Sequence, residues 1–359
     1  MALWLLSVLI GVLAGVLTPA AWWVLQWASV GLTGGIDGSV SRPGFSFAIG
    51  LPFGVAAAIF AFFLATRAFR SADGFTYFIS DLHFQDGRRK LRYSLSHGVA
   101  TVLLVLGKGV VGIEGFCMEA LSATGSWLGT RFSLSANQTR TLAACGATAA
   151  IAAVLGQPTA AFLFVIELLY GWGSFSFAVG TYAVAAFVAA SLSQSLTSPT
   201  GIFNSVFGSD AGLAAAIRTE SFELTIQTAL FCVLVVSIAA GLLGAFAIWV
   251  HRKTDQELHR LFDPRKARDM TSSALALRLG LWAAVTAVAL AQAPQVVGAG
   301  TDLLHDSLSQ GYLLWMAALA MLLRILLGAI TYSVIGSMGL ILPALVAGGL
   351  LGSCVAQVA

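Results

Sequence analysis

The chain has 359 residues, of which 58% are hydrophobic and only 10% are charged, and its mean hydropathy is +0.88. Soluble domains carry about 25% charged residues, so this composition excludes a soluble globular protein and predicts an integral membrane protein. The formal net charge of +3 is small, which argues against a nucleic-acid-binding protein.

A series of apolar segments runs along the chain, and several are shorter than the roughly 20 residues that a straight transmembrane helix needs. They cover residues 3–31, 47–66, 97–111, 117–130, 141–155, 158–172, 177–193, 223–250, 274–292, 311–332 and 338–357. No basic region precedes the first segment, which favours a membrane span over a cleaved signal peptide. Short, glycine-interrupted segments are typical of broken or re-entrant helices, whose N-terminal ends lie in mid-membrane and attract anions.

Polar segments divide the chain into two halves. Residues 194–222 are predicted to form an external polar loop. The expected organisation is a first membrane repeat over residues 1–193, this loop, and a second, incomplete repeat over residues 223–359. Residues 251–273 are charged and are predicted to include an amphipathic cytoplasmic helix.

Two clusters of basic residues predict how the chain is oriented in the membrane. The first contains Arg67, Arg70, Arg88, Arg89, Lys90 and Arg92, and the second contains His251, Arg252, Lys253, Arg260, Arg265, Lys266 and Arg268. The positive-inside rule predicts that both clusters lie in the cytoplasm. The expected location is a cell membrane that the chain crosses several times, and specifically a bacterial inner membrane.

Glu114 is the first candidate for a functional residue, because it is a carboxylate in the middle of an apolar region. It lies between Gly112 and Gly115. A charged side chain at the bilayer centre costs roughly 3 kcal/mol on insertion scales, and such residues usually mark an ion or proton path. The flanking glycines remove side chains where the backbone must come close to another group. Glu114 is therefore predicted to lie on an ion or proton path.

Three short motifs lie in a consistent order along the chain. Gly112-Ile113-Glu114-Gly115-Phe116 resembles a G-[K/R]-E-G-P motif, and Gly339-Leu340-Ile341-Leu342-Pro343 resembles a G-x-F-x-P motif. Ala72-Asp73-Gly74-Phe75-Thr76 stands where a G-S-G-I-P motif belongs, with Asp73 41 residues before Glu114. Together the motifs resemble those of the CLC family of chloride channels and proton-coupled anion exchangers.

The resemblance implies an all-α polytopic membrane protein with the CLC-like inverted-repeat architecture of broken and re-entrant helices. It implies that Glu114 is both the gate and the proton acceptor, occupying an anion position when ionised and leaving it when protonated. The remaining residues that it assigns to the anion sites are Gly112, Ile113, Gly115, Phe116, Gly339, Leu340, Ile341, Asp73 and Gly74. More broadly, the backbone amides of residues 112–116 and 339–342 are expected to line the site.

The resemblance also sets expectations for partners. It implies a transporter or channel for chloride or another small anion, embedded in membrane lipid, and a homodimer where the full fold is present. It implies no enzymatic activity, no bound cofactor, no metal and no nucleic acid. Gating would depend on voltage, protons or the anion itself.

Asp73 departs from the family pattern, which has a small residue at this inner anion ligand. At an effective dielectric near 20, two like charges about 4 Å apart repel by roughly 4 kcal/mol. Either Asp73 is protonated, or it turns away, or the inner site does not bind halide. The alternative is that Asp73 is an N-cap for the segment that begins at Gly74.

Glu167 and Leu168 bear on proton coupling. Leu168 stands where proton-coupled members have their inner proton-transfer glutamate, and leucine carries no proton. This favours a channel or an uncoupled carrier, unless a one-residue shift in register makes Glu167 that glutamate. Glu167 is otherwise a structural carboxylate.

The function expected from the sequence is passive or weakly coupled movement of chloride or another small anion, gated by Glu114. One alternative is a proton-coupled anion exchanger. The other alternative is a non-transporting relative with a structural or interaction role. Two features favour it: Asp73, and the end of the chain at Ala359, before several expected helices.

Two further charged residues have open roles. Glu119 is expected to make a hydrogen bond in the bundle interior, with a position in a vestibule as the alternative. Arg324 is expected to pair with an acid or to extend toward the membrane surface, with attraction of anions toward their path as the alternative.

Overall fold

The computed structural model describes residues 2–33, 44–66, 74–170, 178–197, 226–262, 271–307, 313–336 and 339–356. Within these ranges every regular element is helical, which confirms the predicted all-α class. Six of the helices in the same ranges are long and apolar enough to cross a membrane. The chain is therefore a polytopic membrane protein.

The helices fall into two groups along the chain. The first group is α1 (Ala2–Thr33), α2 (Phe45–Thr66), α3 (Gly74–Phe84), α4 (Leu91–Leu106), α5 (Glu114–Arg131), α6 (Ala136–Leu155), α7 (Pro158–Tyr170) and α8 (Ala178–Thr197). The second group is α9 (Ile226–Phe262), α10 (Ser272–Gln292), α11 (Thr301–Asp306), α12 (Leu314–Ile335) and α13 (Ile341–Ala356). A 3₁₀ turn, Pro294–Val296, follows α10.

Helices α5 and α6 pack at very short range because glycines remove the side chains at their contact. A Cβ atom at Gly125 would overlap the carbonyl of Leu142, and one at Gly146 would overlap the carbonyl of Leu121. Small residues that let helix backbones approach closely are the usual packing device in lipid, where the hydrophobic effect does not drive helices together. This pair forms the centre of a large core that also includes α1, α7 and α8.

A second, smaller core lies between α2, α4, α10 and the end of α12. Trp282 of α10 is fully buried in it. The Trp282 ring reaches the end of α4, where an added Cβ atom at Gly107 would lie 2.7 Å from it. The two cores therefore meet near the break between α4 and α5.

The structure corrects two predicted boundaries. Residues 194–197, predicted as the start of the polar loop, belong to α8. The Gln194 side chain donates to the carbonyl of Gly156, just after α6, at 2.9 Å, and the hydroxyls of Ser195 and Thr197 donate to carbonyls one turn earlier in α8. Residues 251–262 do not form a separate amphipathic helix but continue α9. Charged pairs four residues apart, such as Lys253 and Glu257 at 2.9 Å, support that continuation.

Arg324 holds the connection between α10 and α11. Its buried guanidinium donates to the carbonyls of Val296 at 3.1 Å, Gly298 at 3.2 Å and Ala299 at 2.6 Å. The expectation that Arg324 pairs with an acid or extends toward the membrane surface is therefore wrong, because the side chain is buried and backbone carbonyls accept from it. The alternative, attraction of anions toward their path, stays a prediction. The donors of a buried arginine need acceptors of some kind, and carbonyls exposed by a helix end supply them.

Replacing Gly146 tests the packing of α5 on α6. Gly146→Ala is expected to lower the free energy of unfolding by about 1–3 kcal/mol, because the methyl group would overlap the Leu121 carbonyl and force the helices apart. Thermal unfolding in detergent measures the change. Gly241→Ala on α9 is the matched control, since a Cβ atom there meets nothing within 4 Å. Equal unfolding midpoints for the two variants would contradict this account.

Candidate functional site

The candidate site begins where α4 breaks and α5 starts. The backbone of residues 107–113 turns here, and Lys108 adopts a left-handed conformation with φ 63°. The amide of Gly109 donates to the carbonyl of Leu104, which ends the regular pattern of α4. Non-glycine residues with positive φ are uncommon and mark constrained segments. The turn therefore has a fixed shape, which sets the start of α5 at Glu114.

Alternate residues of this turn are bonded to elements of the second half of the chain. The Gly298 amide donates to the Lys108 carbonyl at 2.9 Å, the Val110 amide donates to Thr331 Oγ1 at 3.4 Å, and the Gly112 amide donates to the Gly339 carbonyl at 2.9 Å. These contacts satisfy non-helical backbone groups that lipid cannot satisfy. The turn before Glu114 is thus positioned by the second half of the chain.

The Glu114 carboxylate lies between the N-terminal ends of two helices. Glu114 is the first residue of α5 and is 1% exposed, and its Oε1 accepts a hydrogen bond from the Leu342 amide at 2.9 Å. Leu342 is the second residue of α13. The N-terminal end of a helix combines free N–H groups with a positive dipole end, which together bind anions. The carboxylate therefore occupies a position suited to a small anion.

Two glycines make room for this arrangement. A Cβ atom at Gly112 would overlap the Glu114 carboxylate, and one at Gly339 would overlap the Gly112 carbonyl. The side chain of any other residue would therefore displace either the carboxylate or the backbone contact between the two helix starts. The close approach needs glycine at both positions.

The two predicted motifs come together as expected, although not every amide in them is free to bind an anion. The residues that gather at the two helix starts are Gly112, Ile113, Gly115 and Phe116 before or within α5 and Gly339, Leu340 and Ile341 before or within α13. The Gly112 amide is already used by the Gly339 carbonyl, and the Phe116 ring packs against Gly98 of α4. The Leu342 amide, at the end of the predicted range 339–342, donates to the Glu114 carboxylate at 2.9 Å, and the amide of the predicted residue Ile341 also interacts with that carboxylate.

The other predicted site residues are placed less fully. Asp73 lies outside the described residues, and Gly74 is the first residue of α3. Glu167 is exposed on α7, a helix that packs against α6 and α8. The assigned inner proton path through Glu167 therefore stays a prediction.

Glu119 lies one and a half turns after Glu114 on α5 and is held by a cation. Its Oε2 accepts a hydrogen bond from Arg89 Nη2 at 2.8 Å, with both side chains buried. The predicted interior hydrogen bond of Glu119 is confirmed. The contrast with Glu114 is informative, because Glu114 is bound by a backbone amide and Glu119 by a guanidinium.

Within the described residues, no group of three or more His, Cys, Asp or Glu side chains is arranged to hold a metal ion. Cys117, Cys145 and Cys354 are buried and form no disulfide bond. Among the described residues, the groups that meet at the two helix starts are backbone amides and the Glu114 carboxylate.

Comparisons with known proteins agree with this architecture. A family model for voltage gated chloride channels matches residues 53–359. A CLC-type fluoride/proton antiporter has a similar structure, with a TM-score of 0.75 and 23% sequence identity over 98% of this chain and 80% of that one. A slow cyanobacterial Cl−/H+ antiporter matches with a TM-score of 0.74 and 16% identity over 99% of this chain and 79% of that one. A comparison with curated proteins gave no match.

The structural relatives share the fold at low sequence identity, and the family model covers most of the chain, including both helix starts around Glu114. The chain therefore belongs to the CLC family of voltage-gated chloride channels.

Proposed function

We propose that this protein moves chloride or another small anion across the membrane and that the Glu114 carboxylate is the gate. The observation that carries the proposal is the hydrogen bond from the Leu342 amide to Glu114 Oε1, at the junction of two helix N-termini. A carboxylate is itself an anion, so the groups that bind it suit a small anion of the same charge. Membership of the family supports an anion as the transported ion.

The gate works by competition for one site. An anion that approached to about 4 Å from the ionised carboxylate would meet a repulsion of roughly 4 kcal/mol at an effective dielectric near 20. Protonation of Glu114 removes that charge and weakens its bond to the Leu342 amide, since a neutral acceptor binds an N–H group less strongly. The amide then becomes available to the permeating anion.

Backbone groups carry the positive potential of this site. Ile113 stands where the resemblance has a basic residue, and it is buried beside Glu114 without a charge of its own. The N-terminal ends of α5 and α13 supply the positive potential instead. This suits passage of an anion, because dipoles hold it less tightly than a full charge, and conduction requires the ion to leave.

Proton-coupled exchange is the second candidate. Both structural relatives named above are proton antiporters, one for fluoride and one for chloride. In that case the proton that releases Glu114 is carried across the membrane and is not merely exchanged with one side.

A non-transporting role is the outcome to be accepted if no flux is found. We also propose a homodimer in a bacterial inner membrane.

Anion flux from liposomes tests the gate. At neutral pH Glu114→Gln is expected to raise chloride efflux roughly tenfold, the effect of removing about 1.4 kcal/mol from the barrier. Wild-type efflux should rise as the pH falls, since protonation of Glu114 opens the gate, whereas efflux through Glu114→Gln should not respond to that protonation. Gly112→Ala should behave similarly, because its methyl group would displace the carboxylate.

Gly348→Ala on α13 is the control for Gly112→Ala, since a Cβ atom there meets nothing within 4 Å. An unchanged pH response in Glu114→Gln would contradict the gate assignment. No flux from any folded variant would contradict anion transport.

Asp73 is tested in the same assay. Asp73→Ser is expected to increase efflux, because it removes a charge that repels an anion by roughly 4 kcal/mol at about 4 Å. Asp73→Glu retains the charge and should not increase efflux. Equal efflux from wild type and Asp73→Ser would indicate that Asp73 is neutral or lies away from the path.

Glu167 separates the two candidate functions. If the protein is an exchanger that uses the Glu167 path, Glu167→Gln should lose proton flux driven by a chloride gradient and should retain chloride flux. A channel or uncoupled carrier should show no driven proton flux in the wild type. Simultaneous recording of pH and chloride from one liposome preparation distinguishes these outcomes.

A further inference from the structure

Arg89 is buried between two carboxylates. Its Nη2 lies 2.8 Å from Glu119 Oε2 and its Nε lies 3.6 Å from Asp81 Oδ2. The side chains of Arg89 and Glu119 are 2% and 3% exposed, and that of Asp81 is 16% exposed. The Arg89 backbone amide donates to Ser126 Oγ at 2.7 Å and its guanidinium lies over the Phe78 ring at 5.0 Å. We call Asp81, Arg89 and Glu119 the inner array.

The inner array has one more acid than base. With both carboxylates ionised it carries a net charge of −1 in a largely buried position, and binding one proton makes it neutral. Burial raises the pKa of the Asp81 carboxyl above its ordinary value, and the charge of Arg89 offsets only part of that rise. Removing a buried net charge is favourable, so the inner array is suited to holding a proton.

Among the residues that the structure describes, the other charged or titratable groups near the inner array do not neutralise its surplus charge. Three basic side chains have other contacts: Lys90 is exposed with its Nζ over the Tyr93 ring, Arg92 donates to the Thr66 carbonyl, and Arg140 lies 3.9 Å from Asp86. Arg88 and His83 are exposed. His97 contacts the Phe63 ring, and Glu114 is bound by Leu342. Lys90 lowers the pKa of Asp81 less than Arg89 does. The surplus charge therefore remains with the two carboxylates.

The inner array also has polar atoms without a partner. Arg89 Nη1 is buried and makes no hydrogen bond with the described residues, and the same is true of Ser122 Oγ, one turn after Glu119 on α5. A buried water needs about two to four polar partners, and these two atoms together with the carboxylates of Asp81 and Glu119 supply them. Water bound there would connect the acids for proton transfer.

The inner array connects the helix that begins at Glu114 with the basic segment 88–92, to which Arg89 itself belongs. Helix α5 runs from Glu114 past Glu119 to Ser126, which contacts Arg89. Glu119 follows Glu114 by five residues, which is about 7.5 Å along the helix axis and about 140° around it, so water has to connect the two carboxylates. The positive-inside rule assigns the basic turn to the cytoplasm, and Asp81 is the most exposed member of the inner array.

We infer that Asp81, Arg89 and Glu119 carry protons between the cytoplasm and Glu114, an inference that rests on the proposed function of Glu114 as gate and on proton-coupled exchange, the second candidate function above. A proton binds a carboxylate oxygen of Asp81 or Glu119, which takes the inner array from a net charge of −1 to zero. That O–H bond then breaks and, through water, a new one forms on the Glu114 carboxylate, which becomes neutral. The inner array returns to −1. Glu167, exposed on α7, is not part of this path.

The test measures chloride and proton flux together in liposomes with a chloride gradient and a clamped membrane potential. Glu119→Gln and Asp81→Asn are each expected to lower driven proton flux about tenfold or more, the scale on which a positioned proton-transfer group acts. Both should retain chloride flux. Glu119→Asp keeps a proton-carrying group and should restore proton flux, which a purely structural role for Glu119 would not predict.

Asp86→Asn is the matched control. Asp86 is an acid on the same turn, with its side chain 61% exposed, and asparagine tolerates its left-handed backbone. This variant should retain both fluxes. Size-exclusion chromatography and thermal unfolding check that each variant is folded. If Glu119→Gln does not fold, the proton flux of Asp81→Asn alone tests whether the inner array carries protons.

Three results would overturn the inference. Wild-type proton flux in Glu119→Gln, or in Asp81→Asn, would show that the inner array does not carry protons, and loss of proton flux in Glu167→Gln alone would assign the path elsewhere. Chloride flux that depends on Glu114 without any driven proton flux would overturn the inference and leave the proposed gate intact. Absence of chloride flux in all folded variants would instead remove the proposed function itself.

Discussion

The hydrogen bond between the Leu342 amide and Glu114 connects the two halves of this protein at the candidate site. Its partners lie 228 residues apart in sequence and belong to the first turns of α5 and α13. The neighbouring bond from the Gly112 amide to the Gly339 carbonyl holds the same two helix starts together. The bond also sets the state of the site, because a carboxylate held there occupies the position that the N-terminal ends of two helices offer to an anion. The proposed gate and the contact between the two halves therefore involve the same atoms.

The rest of the structure allows helices to end inside the membrane. A break in a helix exposes backbone groups that lipid cannot satisfy, so non-helical backbone is tolerated only where protein or a wet cavity supplies partners. Between α4 and α5 those partners come from the second half of the chain, through Gly298, Thr331 and Gly339. Arg324 in turn holds the segment that includes Gly298. The position of Glu114 thus depends on contacts that extend well beyond its own helix.

Buried charges in this protein are stabilised in three different ways, and the difference bears on function. Backbone carbonyls accept from Arg324, and carboxylates flank Arg89, so each of these cations has a fixed partner. Glu114 is held by an amide dipole, without a cation among the contacts described for it. An ion pair in the interior is costly to separate, because each charge would be left unpaired. A carboxylate bound by a dipole is easier to replace with another anion, which is what a gate requires.

The sequence by itself determined the class of the protein, most of its helices and the leading candidate for a functional residue. Apolar length and low charge decide membrane insertion locally, and a carboxylate flanked by glycines in an apolar segment is rare enough to identify Glu114. The motifs at residues 112–116 and 339–343 indicated which segments would meet. The sequence did not reveal that residues 194–197 stay helical, that Arg324 binds carbonyls, or that Arg89 lies between Asp81 and Glu119. Only the tertiary structure decided these points, because the partner of a buried polar group is chosen by which backbone or side chain packs beside it, and that neighbour is often distant in sequence.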